Sequence, residues 1–237
     1  SLLFDDLDAS VIPGVHGIFV PKVDSAEGVK IVAERITELE QSRGLKPGQV
    51  KISLHIESPA GVLAIQSIAA ASNRSESMSL GMDDYRLELG VEPSEDAIEL
   101  LFPLATMVTV CKASGITPLG ILGSVAKVRD LDAFERAAER GKHLGCEGAF
   151  CVHPDQVSIL NRVFSPTPRD VAHARRVVPP FEKGSKAGRA AVNLDGRMVD
   201  TPIYKRGQLV LQRVQAIAEV EKRKAAALAA WKPQSPE

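Results

Sequence analysis

Two carboxylates are the residues of this 237-residue chain best placed to do chemistry: Glu57 in the run LHIESPAGV and Asp84 in SLGMDDYRLELG. Each closes a different apolar, strand-like run. In a parallel sheet the C-terminal strand ends share one edge, so both carboxylates would face one pocket. That arrangement suits a hard divalent cation, because Mg²⁺ takes oxygen ligands, one or two of them protein carboxylates and the rest from substrate and water. The same residues could instead act locally, Glu57 capping the next helix and Asp84 making a turn. Asp83 is adjacent to Asp84 and points differently, which fits a supporting or helix-capping group.

Other polar residues carry weaker signals. His153 also closes a strand and Cys151 shares its face, but with Cys146 they match no closed zinc spacing, and no fourth ligand lies near in sequence. His153 therefore reads as a hydrogen-bonded structural residue. The glycines of GILGSVAKV lack the Gly-Lys-Ser/Thr ending of a phosphate loop, and no Gly-x-Ser-x-Gly elbow occurs. The three cysteines have no flanking nucleophile signature and read as small buried apolar residues. Lys22 and Arg74, near strand ends, could meet a phosphate but read as solvated surface cations.

The elements that must position these groups follow from hydrophobic pattern. Strand-like runs start near 17, 51, 77, 117 and 148, a mean spacing of about 33 residues, close to one βα unit of an eight-unit barrel. Between them, 25–42 reads as a helix with Ala26, Val29, Ile31, Val32, Ile36 and Leu39 on one face. A second opens at Pro59 within 58–71, a third covers 94–114, and a fourth covers 131–144 with Gly145 as its C-cap. Lys22, Glu57, Asp83, Asp84 and His153 all fall at C-terminal strand ends, where such folds build sites. Beyond Asn161 the character changes. An amphipathic pattern over 168–181 and a glycine-bearing connection over 184–200 precede a long helix over 201–230, and KPQSPE reads as a frayed tail. Two domains are expected, 1–164 and a helical extension, 165–237.

Composition narrows the class. Charges nearly cancel, with 29 Lys+Arg against 30 Asp+Glu, and 44% of residues are hydrophobic, which predicts a folded globule. Only 4% are aromatic and the basic residues are scattered, so a nucleic-acid partner is not expected. No apolar run reaches bilayer length, the N-terminus lacks a basic signal region, and three cysteines fit a reducing compartment. These features predict a cytoplasmic protein with no membrane partner.

Five segments together carry a family resemblance: GIFVPKVDSAEGV, LHIESPAGV, SLGMDDYRLELG, LGCEGAFCVHPDQVSILNRVFSPTPRDVAHARRVV and AVNLDGRMVDTPIYKRGQLVLQR. In order and spacing they resemble the citrate lyase β-subunit-like family, the magnesium-dependent lyases of citryl, malyl and citramalyl thioesters, within the larger HpcH/HpaI aldolase set. The resemblance implies an α/β fold, a (β/α)8 TIM barrel of which this chain carries the last five βα units, plus a C-terminal lid. It implies that Glu57 and Asp84 bind Mg²⁺, with Glu57 also at the substrate. It implies that backbone amides around Met82 and Asp83 position a keto-acid carboxylate.

Asp200, in DGRMVD, matches a lid aspartate that reaches the site of a neighbouring subunit, so the resemblance implies an acid/base role in a homo-oligomer, a trimer or hexamer. The implied reaction is retro-Claisen cleavage of a 3-hydroxyacyl thioester on CoA or an acyl carrier, such as malyl-CoA, citramalyl-CoA or a citryl thioester. Two alternatives stand beside it: a class II pyruvate-type aldolase without CoA, and a non-catalytic paralogue that keeps the fold. The chain departs from the family pattern twice. It has no Arg-x-Asn motif, its start resembling the helix just after the strand that carries one, and it has Gly120 where many relatives have aspartate.

Overall fold

The computed structural model describes residues 2–125 and 128–231; residues 126 and 127 of the GILGSVAKV loop and the KPQSPE tail lie outside the described residues. The chain divides into two units at Phe164/Ser165. In the first, helix α1 (Leu2–Ser10) precedes four parallel strands, β1 (Gly17–Val20), β2 (Lys51–Ile56), β3 (Ser75–Leu80) and β4 (Thr117–Leu119), which pair in sequence order. Gly17 pairs with Lys51, Ser53 with Ser77, and Ser77 with Thr117. Helices connect the strands as βα units.

The fifth expected strand does not extend: Gly148 makes only an isolated parallel bridge to Leu119. Pro118 in the middle of β4 has no N–H to donate, which limits the ladder available to a neighbour. What remains are two backbone bonds, Gly120 N to Gly148 O and Glu147 N to Pro118 O, each 2.9 Å.

Helix α2 (Ala26–Ser42) starts where the Ser25 hydroxyl accepts from the Gly28 amide, and buries Val29, Val32, Ile36 and Leu39. Ile31 falls off this stripe and is exposed. Helix α3 (Pro59–Ala69) is capped by Ser58, whose hydroxyl accepts from Gly61 N at 2.9 Å. Gly61 is needed for close approach, since a Cβ there would lie 2.7 Å from the Val23 carbonyl. The polar cluster after β3 opens a helix, α4 (Met82–Leu89). The single helix expected over 94–114 is broken: Ala97 adopts a left-handed φ of 50°, so a short 3₁₀ turn (Ile98–Leu100) precedes α5 (Leu101–Ser114). Helix α6 (Leu131–Leu144) ends at Gly145, with φ 108°, and α7 (Pro154–Phe164) completes the unit.

Ile52, Leu54, Ile56 and Met78 from the strands and Leu104, Met107 and Cys111 from α5 form part of one buried apolar core. Burial of such side chains is the main source of stability, roughly 1.5–3 kcal/mol for each fully buried Leu or Ile. Arg74, expected as a solvated cation, is instead buried and far from a C-terminal strand end, because it precedes β3. Its guanidinium donates to Glu40 (2.7 and 2.9 Å), the Thr37 hydroxyl (2.8 Å) and the Val50 carbonyl (3.0 Å), tying α2 to the sheet.

In the second unit, α8 (Pro168–Lys186) begins with a Thr167/Asp170 capping box and runs through Pro179 and Pro180, five residues past the expected end at Phe181. The segment expected to be an irregular connection holds a hairpin, β5 (Val192–Leu194) and β6 (Arg197–Val199). Asp195 and Gly196 both have positive φ, the requirement of a two-residue hairpin turn. Helix α9 (Thr201–Ala230) follows. No helix among the described residues is long and apolar enough to cross a membrane.

Candidate active site

Strand alternation divides β2 into two faces. Ile52, Leu54 and Ile56 are fully buried towards the helices, which leaves Ser53 and His55, and Glu57 just beyond the strand, on the opposite face. Ser77 and Ser79 of β3 stand beside them in register. The Ser77 hydroxyl donates to Ser53 at 2.7 Å, and Ser79 Oγ lies 2.5 Å from His55 Nδ1. These polar rungs climb to the strand ends, where Glu57 is 7% exposed.

Three groups converge on the Glu57 carboxylate. Lys22, just after β1, adopts a left-handed φ of 51°, and its backbone amide, close to the carboxylate, favours the ionised form. A non-glycine residue in that region is uncommon and marks a backbone held for a purpose. His55 Nε2 lies 3.4 Å from Glu57 Oε1. Asp84, in the first turn of α4, adds negative charge close by and has the Lys22 ammonium 3.7 Å from its Oδ1.

Electrostatics follow from this crowding. Burial pushes the Glu57 carboxyl above the usual carboxylate range and the Asp84 charge pushes it further, partly offset by Lys22. Burial also pulls the His55 imidazole down to about 4, against a smaller upward pull from Asp84, so His55 is neutral near pH 7. Two neighbouring carboxylates, one of them desolvated, fit a divalent cation, which relieves both the repulsion and the burial cost. Among the described residues no group of three His, Cys, Asp or Glu side chains forms a complete cage. Mg²⁺ commonly takes one or two protein carboxylates and fills its other positions with substrate and water.

A cavity of about 240 Å³ opens beside these groups. Its polar wall includes His55, Ser79, Asp83 and Asp84; Phe19 and Phe150 contribute apolar surface, their rings edge-on at 5.0 Å. Helix α4 points its N-terminus here, and Gly81, its N-cap, supplies no capping side chain, so the Met82 and Asp83 amides can serve an anion. The Asp83 carboxylate turns away to Arg86 Nη1 at 3.3 Å, in line with a supporting role. Gly81 is sterically required: a Cβ would lie 2.5 Å from Glu57 Cγ and 2.7 Å from His55 Nε2.

The remaining sequence candidates fall elsewhere. Asp200 belongs to the second unit, where its carboxylate caps α9 by accepting from Ile203 N at 3.2 Å. Gly120, by contrast, lines the cavity, but a Cβ there would lie 2.9 Å from Leu104 and beside Cys146 and Met107 of the core. His153 accepts from Asp155 N at 3.3 Å at the start of α7. Cys111 and Cys146 are buried, and burial pushes both thiols up to about 12, which leaves them unreactive. Sequence reasoning passed over His55, Ser79 and Gly81. The period-2 spacing in HIE, which puts His55 on the face of Glu57, was the available signal.

Comparison with known proteins locates the chain among its relatives. A family model described as HpcH/HpaI aldolase/citrate lyase matches residues 1–154. Citrate lyase subunit beta of Haemophilus influenzae is 35% identical over 211 residues, covering 89% of this chain and 72% of the relative. An L-malyl-CoA/β-methylmalyl-CoA lyase of Cereibacter sphaeroides is 30% identical, covering 85% of this chain and 68% of the relative. The crystal structure of the CitE protein of Mycobacterium tuberculosis, in complex with magnesium, acetoacetate and coenzyme A, superposes with a TM-score of 0.64 at 22% identity, covering 84% of this chain and 68% of that one. The parallel strands and their helices are thus a TIM-barrel-like α/β fold.

Proposed function

The chain belongs to the HpcH/HpaI aldolase/citrate lyase family, and from that premise we propose that it is a Mg²⁺-dependent carbon–carbon lyase. It cleaves a 3-hydroxyacyl thioester, of the malyl-CoA, citramalyl-CoA or citryl type, to a keto acid and an acetyl thioester. The observation that carries this reading is the buried Glu57 with Asp84, which lines the cavity, beside it. The named activities of the relatives, citrate lyase and malyl-CoA lyase, and the magnesium in the CitE structure support it.

Bound by Glu57 and Asp84, Mg²⁺ supplies Lewis-acid polarisation of the substrate's hydroxyl and carboxylate oxygens. The N-terminal amides of α4 at Met82 and Asp83 hold the keto-acid carboxylate, with the helix dipole favouring its charge. In the cleavage the hydroxyl gives its proton to the Asp200 carboxylate, its electron pair forms the new carbonyl, and the carbon–carbon pair passes to the thioester as an enolate, which that same proton later quenches. Phe19 and Phe150 keep water from that enolate. Asp200, on a lid contributed by a neighbouring subunit of a homo-oligomer, gives the enolate carbon its proton.

The test is a panel of malyl-, citramalyl- and citryl-CoA with the purified protein and Mg²⁺, followed by free glyoxylate, pyruvate or oxaloacetate. Release of one keto acid that stops with Glu57→Ala supports the reading. No release from any thioester, with Mg²⁺ binding intact, contradicts it.

A further inference from the structure

Beside the cation ligands, the inner face of the sheet carries a polar stack that the proposed chemistry does not use: the Ser53–Ser77 rung and, nearer the strand ends, His55 with Ser79. Barrel interiors are usually filled by branched apolar side chains, and a buried polar group is costly unless partnered. His55 is partnered on three sides. Ser79 Oγ lies 2.5 Å from Nδ1, the Phe19 ring packs on the imidazole at 4.8 Å between centroids, and Glu57 Oε1 lies 3.4 Å from Nε2.

The chemistry of these partners fixes the ring's state. When Glu57 is ionised, as a cation-binding carboxylate must be, it only accepts, so a bare Nε2 lone pair facing it would be repelled. The proton therefore sits on Nε2, and the Ser79 hydroxyl donates to Nδ1, the partner on one nitrogen setting the role of the other. In that tautomer the ring N–H of His55 faces the Glu57 carboxylate at 3.4 Å. The need for glycine at 81 fits the same picture, since a Cβ there would strike both Glu57 Cγ and His55 Nε2.

We propose that His55, oriented by Ser79, is a positioning residue: its Nε2–H holds the Glu57 carboxylate in the orientation a divalent cation needs. The role rests on the cation reading of Glu57. Groups that orient a metal-binding carboxylate typically contribute 10- to 100-fold in metal affinity.

Two measurements on the full chain test it. In metal-free protein at neutral pH, long-range ¹H–¹⁵N NMR of the His55 ring should report the Nε2–H tautomer, and Ser79→Ala should give a tautomer mixture. An Nδ1–H ring in the wild type overturns the proposal whether or not the protein binds a cation. Calorimetric titration with Mg²⁺ should then show affinity reduced roughly 10- to 100-fold in His55→Ala. His55→Gln, which keeps a side-chain N–H donor, should recover most of the loss, with thermal melts confirming folded protein throughout. Equal affinity in wild type and His55→Ala overturns the proposal. No Mg²⁺ uptake by the wild type removes the cation reading of Glu57, while the tautomer still decides the His55–Glu57 contact.

Discussion

The Lys22 ammonium stands 3.7 Å from Asp84 Oδ1, one of the two carboxylates proposed to hold Mg²⁺. Both side chains are more than half exposed, so the pair contributes under about 1 kcal/mol. Its consequence under the proposed reading is competition: the ammonium and Mg²⁺ would both draw on the Asp84 carboxylate. Lys22→Met is predicted to tighten Mg²⁺ binding in the absence of keto acid by roughly two- to fivefold. Calorimetry at low ionic strength, where such exposed interactions are least screened, gives the answer.

Gly81 controls the space over the carboxylate. The Cβ of Gly81→Ala would sit 2.5 Å from Glu57 Cγ, so the carboxylate must shift. Positioning errors of this kind cost affinity and rate, and the residue lies at a helix N-cap that has no side-chain cap to lose. The predicted outcome is Mg²⁺ affinity lowered by about tenfold or more, together with about 1–3 kcal/mol of stability lost to the overpacking in urea unfolding.

Much of this site was legible in the sequence, and what was not has physical reasons. The nearness of Glu57 and Asp84 was legible because strand ends in a parallel sheet share an edge, a rule that depends only on strand periodicity. Arg74 was misread because a cation's burial depends on a partner 34 residues away, Glu40, that no local pattern announces. The break at Ala97 was hidden because residues 94–114 keep their apolar character across it. The hairpin after α8 was legible in principle, since Asp195-Gly196 between short apolar runs is a turn signal that the reading of 184–200 overlooked. The fifth strand failed for a reason outside its own residues, the missing donor at Pro118 of its neighbour.

The Glu40–Arg74 pair makes stability pH-dependent. Arg74, together with the Val50 and Gly48 amides and against the cost of burial, holds the Glu40 carboxyl at about 2 rather than its ordinary 4.5. A depressed carboxyl favours folding above its unfolded pKa, and that contribution is lost as pH falls. Urea unfolding should therefore show a loss of at most about 3 kcal/mol from this pair between pH 4.5 and 2. Glu40→Gln should flatten that part of the profile. Arg74→Ala, which strands a buried carboxylate, should cost about 3–5 kcal/mol at pH 7.

The proposed reaction gives Asp200 a role separable from the cap it forms in the structure. As the N-cap of α9 it accepts from Ile203 N, a task asparagine performs equally well. Asp200→Asn is therefore predicted to leave stability unchanged within a few tenths of a kcal/mol and to leave Mg²⁺ binding intact, while cleavage slows by about 10²–10⁴. Asp200→Ala should in addition lose about 1 kcal/mol of stability. Rates that survive Asp200→Asn would restrict the residue to its cap.

The most direct measurement is a Mg²⁺ titration by calorimetry of the wild type, Glu57→Gln and Asp84→Asn, each checked for folding by thermal melt. If Glu57 and Asp84 form one cation site, the wild type binds a single Mg²⁺ and each substitution alone abolishes it. Unchanged Mg²⁺ binding in either variant would contradict the account.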